Sequence, residues 1–285
     1  MLGVEATVET RGLLTRWVVR GQARHQHFDL PAIDGDLKVF LERVRFESVD
    51  FSGLEFAEFR AAGSTFTRCD FSNTRFGPLD LGQERAEWDW QWLVRPRDRR
   101  YAQTTYEECV FRMTRFDPYN THLGNSRFVR CVFERAWLRE LLFTFSAEFV
   151  DCRFVGKVIE CNFWGAIPDR ETARWVGRTT NEFRGNDFRD ADLIWVGFHG
   201  VDLDAQRWPE SDEYAILTDP QRRIQVAAER ARAALTGDEL DQILRELELF
   251  RRVHGDEHHV LIRRSELGWQ LPPEVQQRLW DYLTR

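Results

Sequence analysis

Between residues 44 and 81 apolar side chains recur every five residues: Phe46, Phe51, Phe56, Phe66, Phe71, Phe76 and Leu81, with Ala61 as the one small member. Two residues ahead of these positions stands a second apolar or small side chain: Val44, Val49, Leu54, Phe59, Ser64, Cys69, Thr74 and Leu79. Neither the 3.6-residue period of a helix nor the two-residue period of a strand produces this spacing. A fixed internal period is the mark of a repeat architecture, in which each unit buries its apolar face only by stacking on the next.

The stretch resembles the pentapeptide-repeat family, whose units carry Leu or Phe at the centre. That resemblance implies a mainly β fold: a right-handed quadrilateral β-helix with four pentads per coil. Centre and minus-two side chains would lie inside and the other three outside. The step lapses after Leu81, resumes at Tyr106, Phe111 and Phe116, and passes through Leu123, Phe128, Phe133, Leu138 and Phe143. It continues at Phe149, Phe154, Ile159 and Phe163, and again from Phe183 through Phe188, Leu193, Phe198 and Leu203 to Trp208. Grouped in fours, these centres make about six coils, each with Phe at its second position. Adjacent coils at the ~4.8 Å spacing of paired strands would stack six rings into a column, in a rod of roughly 30 Å.

The expected organisation is an N-terminal cap over 1–43, a solenoid over 44–208 with insertions at 82–105 and 164–182, and a helical module over 209–285. Val39 and Leu41 extend the repeat frame backwards by one pentad. In the tail, DEYAILTDP reads as a linker and Asp219-Pro220 as a helix start. A helix from Gly237-Asp238 to near Gly255 places Leu240, Ile243, Leu244, Leu247, Phe250 and Val253 on one face. Pro272-Pro273 opens a last helix with Val275, Leu279, Trp280 and Leu283. The module is expected to fold on the rod, to form a homodimer, or both.

Charge narrows the choice of partner. The net charge is −7, and residues 106–208 carry 16 acidic and 14 basic side chains. Nothing is basic enough for a nucleic-acid binder. No apolar run approaches the ~20 residues of a membrane span, and the N-terminus lacks a signal peptide. A cytoplasmic protein is expected. Only Lys38 and Lys157 are lysine among the basic residues, which points to a GC-rich bacterial source.

Candidate chemistry is sparse. Cys69, Cys109, Cys131, Cys152 and Cys161 all fall two residues before a centre, where a small weakly polar side chain is needed, and no zinc spacing is present. His254 and His258 are four apart, but Gly255 interrupts the helix between them, and a solvated segment is expected there. No nucleophile–base set or phosphate loop can be assembled, so neither an enzyme nor a cofactor is expected. The insertions carry more. Both leave the coil between its fourth and first positions, so they should emerge along one edge, roughly 14 Å apart. The first contains Trp88, Trp90, Trp92, Arg95 and Arg97, the second Trp164, Arg174 and Trp175. Trp and Arg dominate binding hot spots. The expected function is therefore a non-enzymatic protein-binding scaffold with a Trp/Arg edge patch. The resemblance implies an alternative, a DNA-mimicking modulator of DNA gyrase, against which the near-balanced charge of 106–208 counts. A biosynthetic partner or an enzyme with its site in the insertions is the second alternative.

Overall fold

The computed structural model describes residues 3–11, 14–83, 102–118, 120–141 and 144–285. The five-residue step becomes a four-sided parallel β-helix. Each pentad forms one side, and the left-handed backbone at positions such as Ser48, Arg68, Asn73 and Arg130 turns the chain at the corners.

Strand register fixes the stacking. On the first side Phe46 pairs with Phe66, Phe66 with Tyr106, Tyr106 with Phe128, Phe128 with Phe149 and Phe149 with Phe183. On the second side Phe111, Phe133 and Phe154 are in register. The column of second-position rings is longer than six. Phe28 joins below Phe51 and Trp208 closes it above Phe188, with centroid separations of 4.5 to 5.2 Å throughout. From Phe51 upward successive rings lie within 9° of parallel. The rings are stacked in near-parallel fashion because the repeat gives each the same backbone and rotamer environment one rung apart.

One centre differs from expectation. Val158 pairs with Leu138 and Leu193 and is 1% exposed, whereas Ile159 is half-buried and faces outward. The side from Phe154 to Val158 is one residue short, and just before it the register against the pairing strand shifts, with Arg153 opposite Asp187 but Val155 opposite Asp190. Gly156, at φ +95°, supplies the conformation that the shortened side needs. Phe143, the expected fourth centre of its coil, lies outside the described residues.

At the N-terminal end β1 (Gly3–Arg11) and β2 (Leu14–His27) form an antiparallel hairpin. β2 lies on two sides of the first coil at once. Trp17–Val19 pair with β3 (Lys38–Glu42), and Gln22–His27 pair with β4 (Arg45–Asp50). The strand turns the corner near Gly21, φ +103°, where any Cβ would meet the Gly3 carbonyl at 2.6 Å.

The tail has a core of its own, built from α2 (Pro220–Ala234), α3 (Gly237–His254) and α4 (Pro273–Thr284). Asp219 caps α2 by accepting from the Arg222 N–H, with Pro220 in the first turn. Ile243 and Leu247 are buried on α3, but Val253 is 65% exposed, so the expected apolar face ends before it. The expected linker is instead a strand, Tyr214–Thr218, antiparallel to His259–Arg263. This hairpin docks the module on the last coil. The Tyr214 hydroxyl accepts from the Leu193 N–H (3.1 Å), Glu266 accepts from the Trp195 N–H (2.7 Å), and Glu257 accepts from the Gly200 N–H (3.2 Å). Those are backbone donors at the end of the stack, which another coil would otherwise satisfy.

Candidate functional site

Inside the rod, the minus-two position does one job repeatedly. Its side chain donates to the carbonyl of a centre residue on the previous side, one coil back. Cys69 reaches Phe46 O, Cys109 reaches Phe66 O, Cys131 reaches Tyr106 O and Cys152 reaches Phe128 O, at 3.2 to 3.6 Å. Asn186 and Gln206 continue the same corner onto Phe149 O and Phe183 O. Thr74, Thr114 and Ser64 do the same at other corners. All five thiols are free and buried. Burial pushes the thiols of Cys109, Cys131 and Cys152 well up, and that of Cys161 to about 12. A thiol held that far above neutrality is a poor nucleophile and a poor metal ligand.

The fourth-to-first corner is built differently, from close backbone contacts. A Cβ on Gly124 would stand 1.5 Å from the Gly82 carbonyl, and one on Gly165 would stand 2.1 Å from that of Gly200. Here the two insertions leave and re-enter. The Asn125 N–H donates to the carbonyl of Gln83, at the root of the first (3.3 Å). Arg178, in the second, donates to Asn125 Oδ1 at 2.7 Å and to the Ser146 carbonyl. Glu148, 6% exposed, is shared: Gln103, at the return of the first insertion, donates to it at 3.0 Å. Arg127 lies 2.8 Å and Arg178 3.3 Å from the same carboxylate. Arg127 also pairs with Glu182 at 2.5 Å and holds that carboxyl below its usual range. Asn181 locks the return of the second insertion by donating to the carbonyls of Phe145 (2.8 Å) and Trp164 (2.9 Å). The roots of both insertions thus rest on one corner.

Of the expected binding residues, Trp88, Trp90, Trp92, Arg95 and Arg97 lie outside the described residues. Trp164 is engaged in packing, its ring 4.2 Å from His199 and 5.3 Å from Phe145. Its buried indole N–H has no acceptor among the described residues. Arg174 and Trp175 sit on α1 (Arg170–Val176), which Asp169 caps through the Thr172 N–H; Arg174 is exposed and Trp175 half-buried. Sequence reading missed Asn125, Glu148 and Asn181. A signal for Asn181 existed, because an amide at an inward minus-two position must find buried partners. His254 also differs from expectation: it packs on Phe250 at 4.7 Å, and burial holds its imidazole below the usual range.

Along the outside, charges alternate from coil to coil. Arg68 pairs with Glu47 at 2.5 Å, Arg112 with Glu134 at 3.0 Å and Arg153 with Asp190 at 2.8 Å; Arg130 reaches Glu107 and Glu108. No helix among the described residues is long and apolar enough to cross a membrane.

The five-residue step and the four-sided coil built on it are those of a pentapeptide-repeat β-helix. No family model and no curated protein matches the chain. Solved structures similar to the chain include the following two. HetL, a pentapeptide repeat protein involved in heterocyst differentiation regulation from the cyanobacterium Nostoc sp. strain PCC 7120, is 14% identical over 68% of this chain and 91% of its own, with a TM-score of 0.21. QnrB1, a plasmid-mediated fluoroquinolone resistance protein, is 15% identical over 64% of this chain and 90% of its own, with a TM-score of 0.19. Neither superposition carries information about function. The fold rests on the repeat and its strand register.

Proposed function

We propose that the protein is a non-enzymatic protein-binding scaffold whose contact surface is the fourth-to-first corner and the two insertions rooted there. The observation that supports this reading is the sharing of Asn125 and Glu148 between the roots of both insertions. A rigid solenoid holding two Trp/Arg-bearing segments on one edge suits recognition of another protein, since these side chains supply most of the energy at interfaces. The partner would be a protein of the same compartment, proposed to be the bacterial cytoplasm. Replacing Trp88, Trp90 and Trp92 together with Ala should abolish capture of a partner from the native host while leaving the melting temperature within a few degrees, about 1 kcal/mol or less. A collapse in stability instead would make those tryptophans a packing cluster and remove them from the contact surface.

A DNA-mimicking modulator of DNA gyrase is the weaker reading. Duplex DNA presents about one charge per 1.7 Å of axis, whereas Glu47, Glu107, Glu108, Glu134 and Asp190 are each paired with an arginine one coil away. A supercoiling assay decides it: protection of gyrase at micromolar protein would restore mimicry, and no effect would end it.

A further inference from the structure

The third side of the rod departs from the alternation of charge. There Arg75 stands directly below Arg115 and Arg115 directly below Trp137, on consecutive rungs of the parallel stack. Like charges opposite one another on neighbouring strands are destabilising. Asp50 and Asp70 also stack, but each of those carboxylates accepts a backbone N–H at 2.8 Å, from Ser52 and Ser72 respectively. The arginine pair has no such arrangement. Arg75 reaches Glu55 at 3.3 Å, while no carboxylate among the described residues pairs with Arg115, whose guanidinium instead lies 5.1 Å from the Trp137 ring centroid. Trp137 is 59% exposed.

These side chains line a groove of about 610 Å³ on that side, floored by the backbone of Phe56–Ala57, Phe76–Gly77 and Phe116 and bounded by Pro118. Gly77 keeps the floor tight, since a Cβ there would sit 2.8 Å from the Ala57 carbonyl. The other acids of the groove are already engaged: Asp36 with Lys38 at 2.8 Å and Asp117 with Asn120 at 2.9 Å.

We infer that this groove binds an extended acidic segment of a partner protein, with a carboxylate on Arg115 and an apolar or aromatic side chain on Trp137. The site is separate from the insertion corner, so the inference stands or falls independently of the proposed surface there. A guanidinium that no carboxylate among the described residues pairs with calls for a bidentate anion. An exposed indole next to it supplies the apolar half of the contact. The groove runs along the stacking direction, so a strand-like segment would meet successive rungs.

The test is fluorescence anisotropy of a labelled synthetic peptide alternating glutamate with phenylalanine, titrated with the full-length protein at low salt. Arg115→Glu and Trp137→Ala should each weaken binding at least about tenfold, the cost of one charge-assisted contact. Arg153→Glu, on a paired position of the second side, should leave binding within twofold. Thermal melts of each variant separate loss of binding from loss of fold. Equal binding of the lysine–phenylalanine counterpart, or an unchanged affinity for Arg115→Glu with an intact melt, would overturn the inference. So would sedimentation showing a dimer that Arg115→Glu dissociates, because the occupant would then be a second copy of this chain.

Discussion

At the residue scale the rod is a set of rules about one small side chain. The minus-two side chain must fit inside a corner, and where it is polar it donates a hydrogen bond to a carbonyl one coil back, as Cys, Ser, Thr, Asn and Gln all do here. That requirement accounts for five cysteines without any redox or metal role. Burial raises the thiols of Cys109, Cys131, Cys152 and Cys161, so the folded state holds those protons more tightly than the unfolded chain, whose thiols ionise near pH 8.5. The sign follows: this contribution to stability is complete below about pH 8.5 and is lost as pH rises through the folded values, about 12 for Cys161. Melting temperature should therefore stay level from neutrality to about pH 8 and fall above it, with a shallower fall in Cys161→Ala. A disulfide-exchange reagent should label no cysteine in the native protein at neutral pH and all five after denaturation; rapid native labelling would remove the thiols from the interior.

Elements add what no single residue supplies. Phe133 is sandwiched between Phe111 at 4.9 Å and Phe154 at 5.0 Å, and is 3% exposed. Phe133→Ala should cost about 3–5 kcal/mol in chemical denaturation, because the rungs above and below cannot close over the gap. At the other end of the rod, Tyr214→Phe leaves the Leu193 N–H without its acceptor. A loss of about 1–3 kcal/mol is expected, read as earlier proteolytic release of residues 209–285; an unchanged digestion pattern would show the hydroxyl to be dispensable. These elements also mark where sequence reading succeeded and where it stopped. Most centres between Phe46 and Leu203 were legible because a five-residue period leaves one consistent phase, as Phe133 beneath Phe154 illustrates. Val158 was not, since a side shortened at Gly156 breaks the period where only backbone conformation records it. Nor was the strand Tyr214–Thr218, whose partner His259–Arg263 lies beyond two helices. The corner itself was predicted from counting pentads, but Asn125 and Glu148, which join the roots, occupy positions that look in the sequence like any solvated surface.

For the whole molecule, stability comes from columns and hardly at all from the outer ion pairs. Those pairs are mostly between half-exposed side chains, for which ~0–1 kcal/mol each is typical. Raising salt from tens of millimolar to molar should therefore move the melting temperature by only a few degrees; a large drop would mean that the ladders of charge hold the coils together. The acidic-peptide groove behaves oppositely. Its Arg115 pairs with no carboxylate among the described residues, so its charge is directed at the ligand, and binding should weaken as salt rises.

The four-pentad coil makes the distance between surfaces a discrete quantity. Gain or loss of a whole coil slides the insertion corner and the Arg115 groove along the axis by about one rung, ~4.8 Å, without turning either. Gain or loss of a single pentad turns everything beyond it by a quarter revolution, carrying a surface to the next side of the prism. A lineage of such chains can thus re-aim two contact sites in fixed steps, by copying short stretches of gene, while every inward side chain keeps its neighbours.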